Sequence, residues 1–193
     1  WDGFKVPWPF YRTFDKNDDR LSVLVGEYMG NDGVLFNEES DIIKHGNTYS
    51  GAVPVKYGED PESTGDGSQI DWIVYRYADV LTLLSEAIVR QGNSVTQEAV
   101  DLLNQIRVRA KLSPYTMGDI KGVDDFLDKM LQERGHEFWW EGNRRADLIR
   151  HGKFIQNAID RGSTTTKPEF VLFPLPQAVI NEGKGIIIQN PGY

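Results

Sequence analysis

Apolar residues recur at helical spacing mainly beyond residue 72. Val74, Tyr77, Ala78, Leu81, Leu84 and Ile88 form a stripe with a period of about 3.6, which predicts a helix ended by Gly92. Ser94 and Gln97 have the spacing of a capping box. Ala99, Leu102, Leu103, Ile106 and Ala110 form a second stripe, with Pro114 beyond its end. Two helices joined by so tight a turn pack antiparallel, as in one tetratricopeptide repeat. One repeat cannot cover its own faces, so neighbours are required. The isolated chain is therefore expected to aggregate or to need further sequence. A third helix is expected from about Val123, with Asp124 and Asp125 in its first turn, where the helix dipole favours acids. Its apolar positions are Phe126, Leu127, Met130, Leu131 and Phe138, and Gly142 is expected to break it. Residues 144–151 read as another short turn or two, 170–173 as a strand, and Pro176 as the start of a short helix through Asn181.

Residues 1–71 lack this periodicity and carry Gly, Asp, Asn and Pro at short intervals. Short strands are expected at 21–26 and 52–57, and loops at 15–20 and 61–68. So long an irregular stretch is best explained as loops lying on a helical body. The expected architecture is mostly α, with a loop-rich segment 1–71 on a helical region 72–193. The start at Trp1, in a Trp- and Pro-rich stretch, reads as a piece of a longer chain or a processed product.

Composition narrows the functions. Hydrophobic residues make up 39% and aromatics 11% of 193 residues, enough for a globular core. A formal charge of −8 argues against nucleic acid, which needs a basic face, and suits a neutral ligand. With no cysteine there is no disulfide, thiolate metal site or cysteine nucleophile. No apolar run approaches the roughly 18 residues of a membrane span, and no signal peptide is visible.

Residues 133–150 interleave acids, arginines and two adjacent tryptophans unusually densely. Glu133 and His136 have the spacing of carboxylate-bridged metal sites, but neither His45 nor His151 supplies the second such pair. No metal is expected. The acids from Asp15 onward resemble a calcium loop, yet Arg20 stands where its turn glycine belongs. Glu133, Glu137 and Glu141 fall at i, i+4 and i+8, a geometry open to a glycosidase, whose carboxylates lie about 5–10 Å apart. Neighbouring arginines would depress their pKa values, whereas a general acid needs the opposite shift. The reading preferred is a structural ion-pair network, with Arg134 on Glu137 or Glu141 and Arg144 on Asp147. No catalytic constellation emerges. Trp1, Phe4, Trp8, Phe10 and Tyr11 crowd a proline-containing segment. Flat aromatic faces stack on the C–H surface of sugar rings, which makes Trp1, Trp8 and Tyr11 candidate ligand contacts. The alternative is that the segment packs onto the helical body.

Five motifs, in order, resemble the C-terminal part of the SusD/RagB family of outer-membrane nutrient-binding lipoproteins. They are Arg76, Tyr77, Ala78 and Asp79 with Glu86 and Ala87; Leu103, Asn104, Ile106, Arg107, Arg109 and Ala110; Glu133, Arg134, Glu137, Phe138, Glu141, Gly142, Arg144, Asp147, Leu148 and Arg150; residues 172–176; and residues 189–193. Lys111 stands where the family has glycine at a helix end, at a cost of about 1 kcal/mol if the residue is left-handed. The resemblance implies a SusD-like α-helical fold of tetratricopeptide-like pairs supporting long loops, with no enzyme activity and no cofactor. It implies non-catalytic glycan binding at the cell surface and delivery to a SusC-like TonB-dependent transporter. It also implies a lipid anchor on an N-terminal cysteine, and much of the ligand site, in an N-terminal half absent from this chain. The alternatives are a helical-repeat interaction scaffold without small ligand, and a glycosidase using Glu133, Glu137 or Glu141.

Overall fold

Pro7 carries the chain from a two-residue strand, β1 (Val6–Pro7), into a one-turn helix, α1 (Trp8–Tyr11). The computed structural model describes residues 4–64 and 67–193, so Trp1 lies outside the described residues. A 3-10 turn (Asp19–Val23) leads to β2 (Leu24–Val25), and a hairpin follows from β3 (Tyr28–Met29) to β4 (Leu35–Phe36). Tyr28 pairs with Phe36, and Gly33 takes the left-handed turn position at φ 77°. Helix α2 (Glu38–Tyr49) starts at Asn37, whose side chain accepts from the Ser40 amide at 3.0 Å. The Ser40 hydroxyl in turn accepts from the Asn37 amide at 2.9 Å. Strand β5 (Gly51–Pro54) then lies between β1 and β2, antiparallel to both, with Val6 opposite Ala52 and Leu24 opposite Pro54. The first 71 residues thus hold a helix, kinked at the non-helical Gly46 (φ 72°), that their weak periodicity did not disclose. Trp8, Phe14, Leu24, Ala52 and Trp139 bury one another in the first core cluster.

Helices α3 (Tyr77–Gly92), α4 (Gln97–Arg109) and α5 (Val123–Phe138) supply the second cluster, built on Val89, Ala99, Val100, Leu103, Phe126 and Met130. Three expectations are corrected here. The N-cap of α4 is Thr96 rather than Ser94: its side chain accepts from the Ala99 amide. The inner face of α3 carries Leu81, Thr82, Ser85 and Val89, while Tyr77, Val80 and Leu84 point outward. Polar Thr82 and Ser85 are tolerated inside because each has a partner, Ala78 O and Ala99 O respectively. Helix α5 ends at Phe138, four residues before Gly142, so Glu141 is not on its face.

The chain divides into two compact units, Trp1–Gly142 and Asn143–Tyr193. In the second, α6 (Arg144–Arg150), α7 (Phe154–Asp160) and α8 (Gln177–Glu182) frame a 3-10 turn at Pro168–Val171, where a strand was expected. Pro168 begins that turn with its fixed φ, and its missing N–H cannot join a ladder. Gln189 exchanges two hydrogen bonds with the backbone of Leu175 (2.8 and 2.9 Å), and Asn190 donates to Phe173 O at 2.7 Å. The two tail motifs are thus one folded structure.

Candidate functional site

The geometry at the end of α5 starts from its buried acids. Arg76 donates from Nε to Glu141 at 2.9 Å and from Nη1 to Glu137. Arg20 reaches Glu133 at 2.8 Å and Glu137 at 3.2 Å, while both oxygens of Asp18 hold its guanidinium. Arg109 also bonds Glu137, Arg107 bonds Glu133 at 2.9 Å, and Lys56 bonds Glu141. Burial alone would raise the Glu137 pKa. The Arg76 hydrogen bond and the charges of Arg76, Arg109 and Arg20 outweigh it and hold the carboxyl below its usual range. These acids are committed acceptors, although Glu137 and Glu141 border a small cavity of about 350 Å³.

Arg134 is bound to Asp79 (2.7 Å) and Thr82 of α3. Arg134 lies on the α5 face turned to α3, and the cations on Glu137 and Glu141 come from distant segments. In the second unit, burial lowers the Arg144 pKa against the opposing pull of the Asp147 charge. Arg150 also donates to Asp147, at 3.0 Å. His136 is buried, stacked on Phe14 at 4.1 Å and hydrogen-bonded with Thr13. Among the described residues, no group of three or more His, Asp or Glu could hold a metal ion.

Two of the three aromatic candidates lie within the described residues. Trp8 is only 3% exposed, with its indole N–H on Asp41 at 3.1 Å. Its faces meet the core rather than a ligand, a correction whose cause is the proline-started turn that rolls it inward. Tyr11 is half-buried and packs edge-on against Trp8 at 5.4 Å.

The structure brings together other rings. A cavity of about 750 Å³ is walled by Phe4, Tyr28, Phe36 and Trp140. Tyr28 and Phe36 stack at 4.7 Å across the β3–β4 hairpin, and Phe4 meets Trp140 at 6.3 Å. The hairpin turn contributes Asn31 and Asp32, and α2 contributes Ser40, Asp41, Lys44 and His45. Burial would raise the Asp41 pKa. Donors from Lys5 (2.6 Å), the Gly51 amide (2.7 Å) and His45 reverse this and keep the carboxyl below its usual range. The cavity therefore combines flat apolar faces with hydrogen-bonding groups of both kinds, as recognition of a polyhydroxylated ring requires. Of this wall, Phe4 and the adjacent tryptophans that include Trp140 were singled out from sequence, and Tyr28 and Phe36 were not. The available signals were Asn31, Asp32 and Gly33 between apolar pairs, and an acidic first turn after Asn37.

Comparisons with known proteins converge. The SusD family model matches residues 8–193. The chain is 27% identical over 165 residues to the starch-binding protein SusD of Bacteroides thetaiotaomicron, covering 82% of this chain and 27% of that protein. A solved SusD homolog from the same organism superposes with a TM-score of 0.75 at 20% identity, covering 98% of this chain and 44% of that one. Surface glycan-binding protein A from B. thetaiotaomicron, in complex with laminarihexaose, superposes with a TM-score of 0.62 at 22% identity, covering 96% and 41%. At these identities the two structures show the fold alone. The chain spans about a quarter of the length of the starch-binding relative.

Proposed function

The chain belongs to the SusD family, and from that premise we propose that it serves a glycan-capture protein of the outer-membrane surface, binding an oligosaccharide without turnover. The observation that carries this is the 750 Å³ cavity, whose aromatic walls alternate with the polar groups of the hairpin and α2. Two relatives point to the ligand class by name, one starch-binding and one solved with laminarihexaose. The intact protein passes its glycan to a SusC-like TonB-dependent transporter and is held at the membrane by a lipid on an N-terminal cysteine outside this chain. Among the described residues no helix is long and apolar enough to cross a membrane.

A glycosidase using Glu133, Glu137 or Glu141 is disfavoured. Every one of these acids is paired with cations, and Glu137 is held low where a general acid must be raised. The test is calorimetric titration of the intact protein with starch- and laminarin-derived oligosaccharides, with a reducing-sugar assay on the same samples. Saturable binding without sugar release supports the proposal. Release that disappears in Glu137→Gln, or no binding to any glycan, overturns it.

A further inference from the structure

Trp140 has a φ of +66°, a left-handed conformation that bulky L residues rarely adopt. Such a conformation persists only where its surroundings over-determine it, and here they do. The Lys56 ammonium donates to Glu137 O (2.8 Å), to Trp139 O (3.1 Å) and to the Glu141 carboxylate. Arg76 binds Glu137 O from the same side at 2.8 Å, and the Glu141 amide closes the turn on Phe138 O at 3.1 Å. The turn sends adjacent indoles to different places. Trp139 enters the core, with the Lys56 ammonium 5.2 Å from its ring centroid, and Trp140, partly buried against the edge of that core, enters the cavity wall beside Phe4. Had α5 continued, Trp140 would have followed His136 at i+4, onto a face already buried against Phe14.

We infer that the charged cluster is a positioning device for ligand binding: Lys56 and Glu141 fix the strained turn that offers the Trp140 indole to the cavity as the platform for a sugar ring. This rests on the glycan reading above. Trp140 is the contact residue, and Lys56 and Glu141 act through it. Stacking asks for the flat C–H face of a pyranose, so the class of ligand is an oligosaccharide with an unsubstituted ring face.

The test uses the intact protein and the oligosaccharide bound most tightly in the titrations. Trp140→Phe keeps affinity within a few-fold, whereas Trp140→Ala and Trp140→Gly weaken it about tenfold or more, the scale of one lost ring stack. Trp140→Gly nevertheless melts above Trp140→Ala, because glycine adopts positive φ freely. Lys56→Met weakens binding and abolishes the ligand-induced tryptophan fluorescence change that wild type shows and Trp140→Phe lacks. If Lys56→Met does not fold, Glu141→Gln takes its place, with the same expectation. Wild-type affinity in Trp140→Ala, or an unchanged fluorescence response in the positioning variant, overturns the inference while leaving glycan binding intact. A wild-type protein that binds no glycan overturns both.

Discussion

Lys56 and Glu141, 85 positions apart in sequence, are bonded at the end of α5. Lys56 comes from the segment just after β5, within the stretch 52–57 where the sequence suggests a strand. Its ammonium lies where helix carbonyls would otherwise be left open. Burial lowers its pKa, and the Glu141 hydrogen bond and charge work against that drop. The cluster is therefore a tertiary clamp joining the first 71 residues to the helical body, rather than a feature of one helix.

Removing a central cation should be costly. Arg20 is buried among Asp18, Glu133 and Glu137, so Arg20→Met strands acids that cannot reach water. A loss of about 3–5 kcal/mol is expected in urea unfolding. Arg109→Met removes a half-exposed partner of Glu137 and should cost no more than about 1 kcal/mol. Equal losses would show that burial does not set the scale.

Lys111 adopts φ 59° just past α4, and the Leu112 amide closes the helix end on Arg107 O at 2.9 Å. Its side chain makes an exposed ion pair with Asp19. Lys111→Gly should therefore stabilise the fold by about 1 kcal/mol. A lower melting temperature in that variant would mean that the ion pair outweighs the backbone strain.

The long helices were legible because each buries one stripe and ends at a recognisable stop, as α3 does at Gly92. The inner face of α3 was misread because Thr82 and Ser85 are inside by virtue of partners on other elements, which no hydropathy pattern encodes. The acids of the network were legible and their partners were not. Lys56 and Arg20 meet them, and Asp79 meets Arg134, only through tertiary folding. Trp8 was misassigned for a similar reason: the Asp41 carboxylate that takes its buried indole N–H lies 33 positions away. The cavity followed suit, because segments far apart in sequence, from Phe4 to Trp140, form its wall.

Acid should destabilise the fold with a definite sign. Asp41 and Glu137 are held below their ordinary values of 3.8 and 4.5. As pH falls through those ordinary values the unfolded chain takes up protons first. The stability they contribute is complete above about pH 5 and is lost as pH drops through their depressed folded values. Melting temperature against pH should fall steeply below about pH 4.5, and Asp41→Asn should flatten part of that slope. A slope unchanged in Asp41→Asn would remove Asp41 from the account.

The outer face of α3 exposes Tyr77, Val80, Leu83 and Leu84 together. A patch of this kind promotes association. Residues 1–193 alone should self-associate in sedimentation experiments, and Val80→Lys with Leu84→Lys should reduce this at little cost in stability. A cooperative melt of monomeric wild-type 1–193 would contradict the expectation.

The central claim is that the cavity between the β3–β4 hairpin, α2 and Trp140 binds glycan. Hydrogen–deuterium exchange of the intact protein, with and without saturating oligosaccharide, tests it most directly. The account predicts slowed exchange in residues 28–45 and around Trp140. Protection confined to other segments, with these unchanged while ligand is bound, would contradict it.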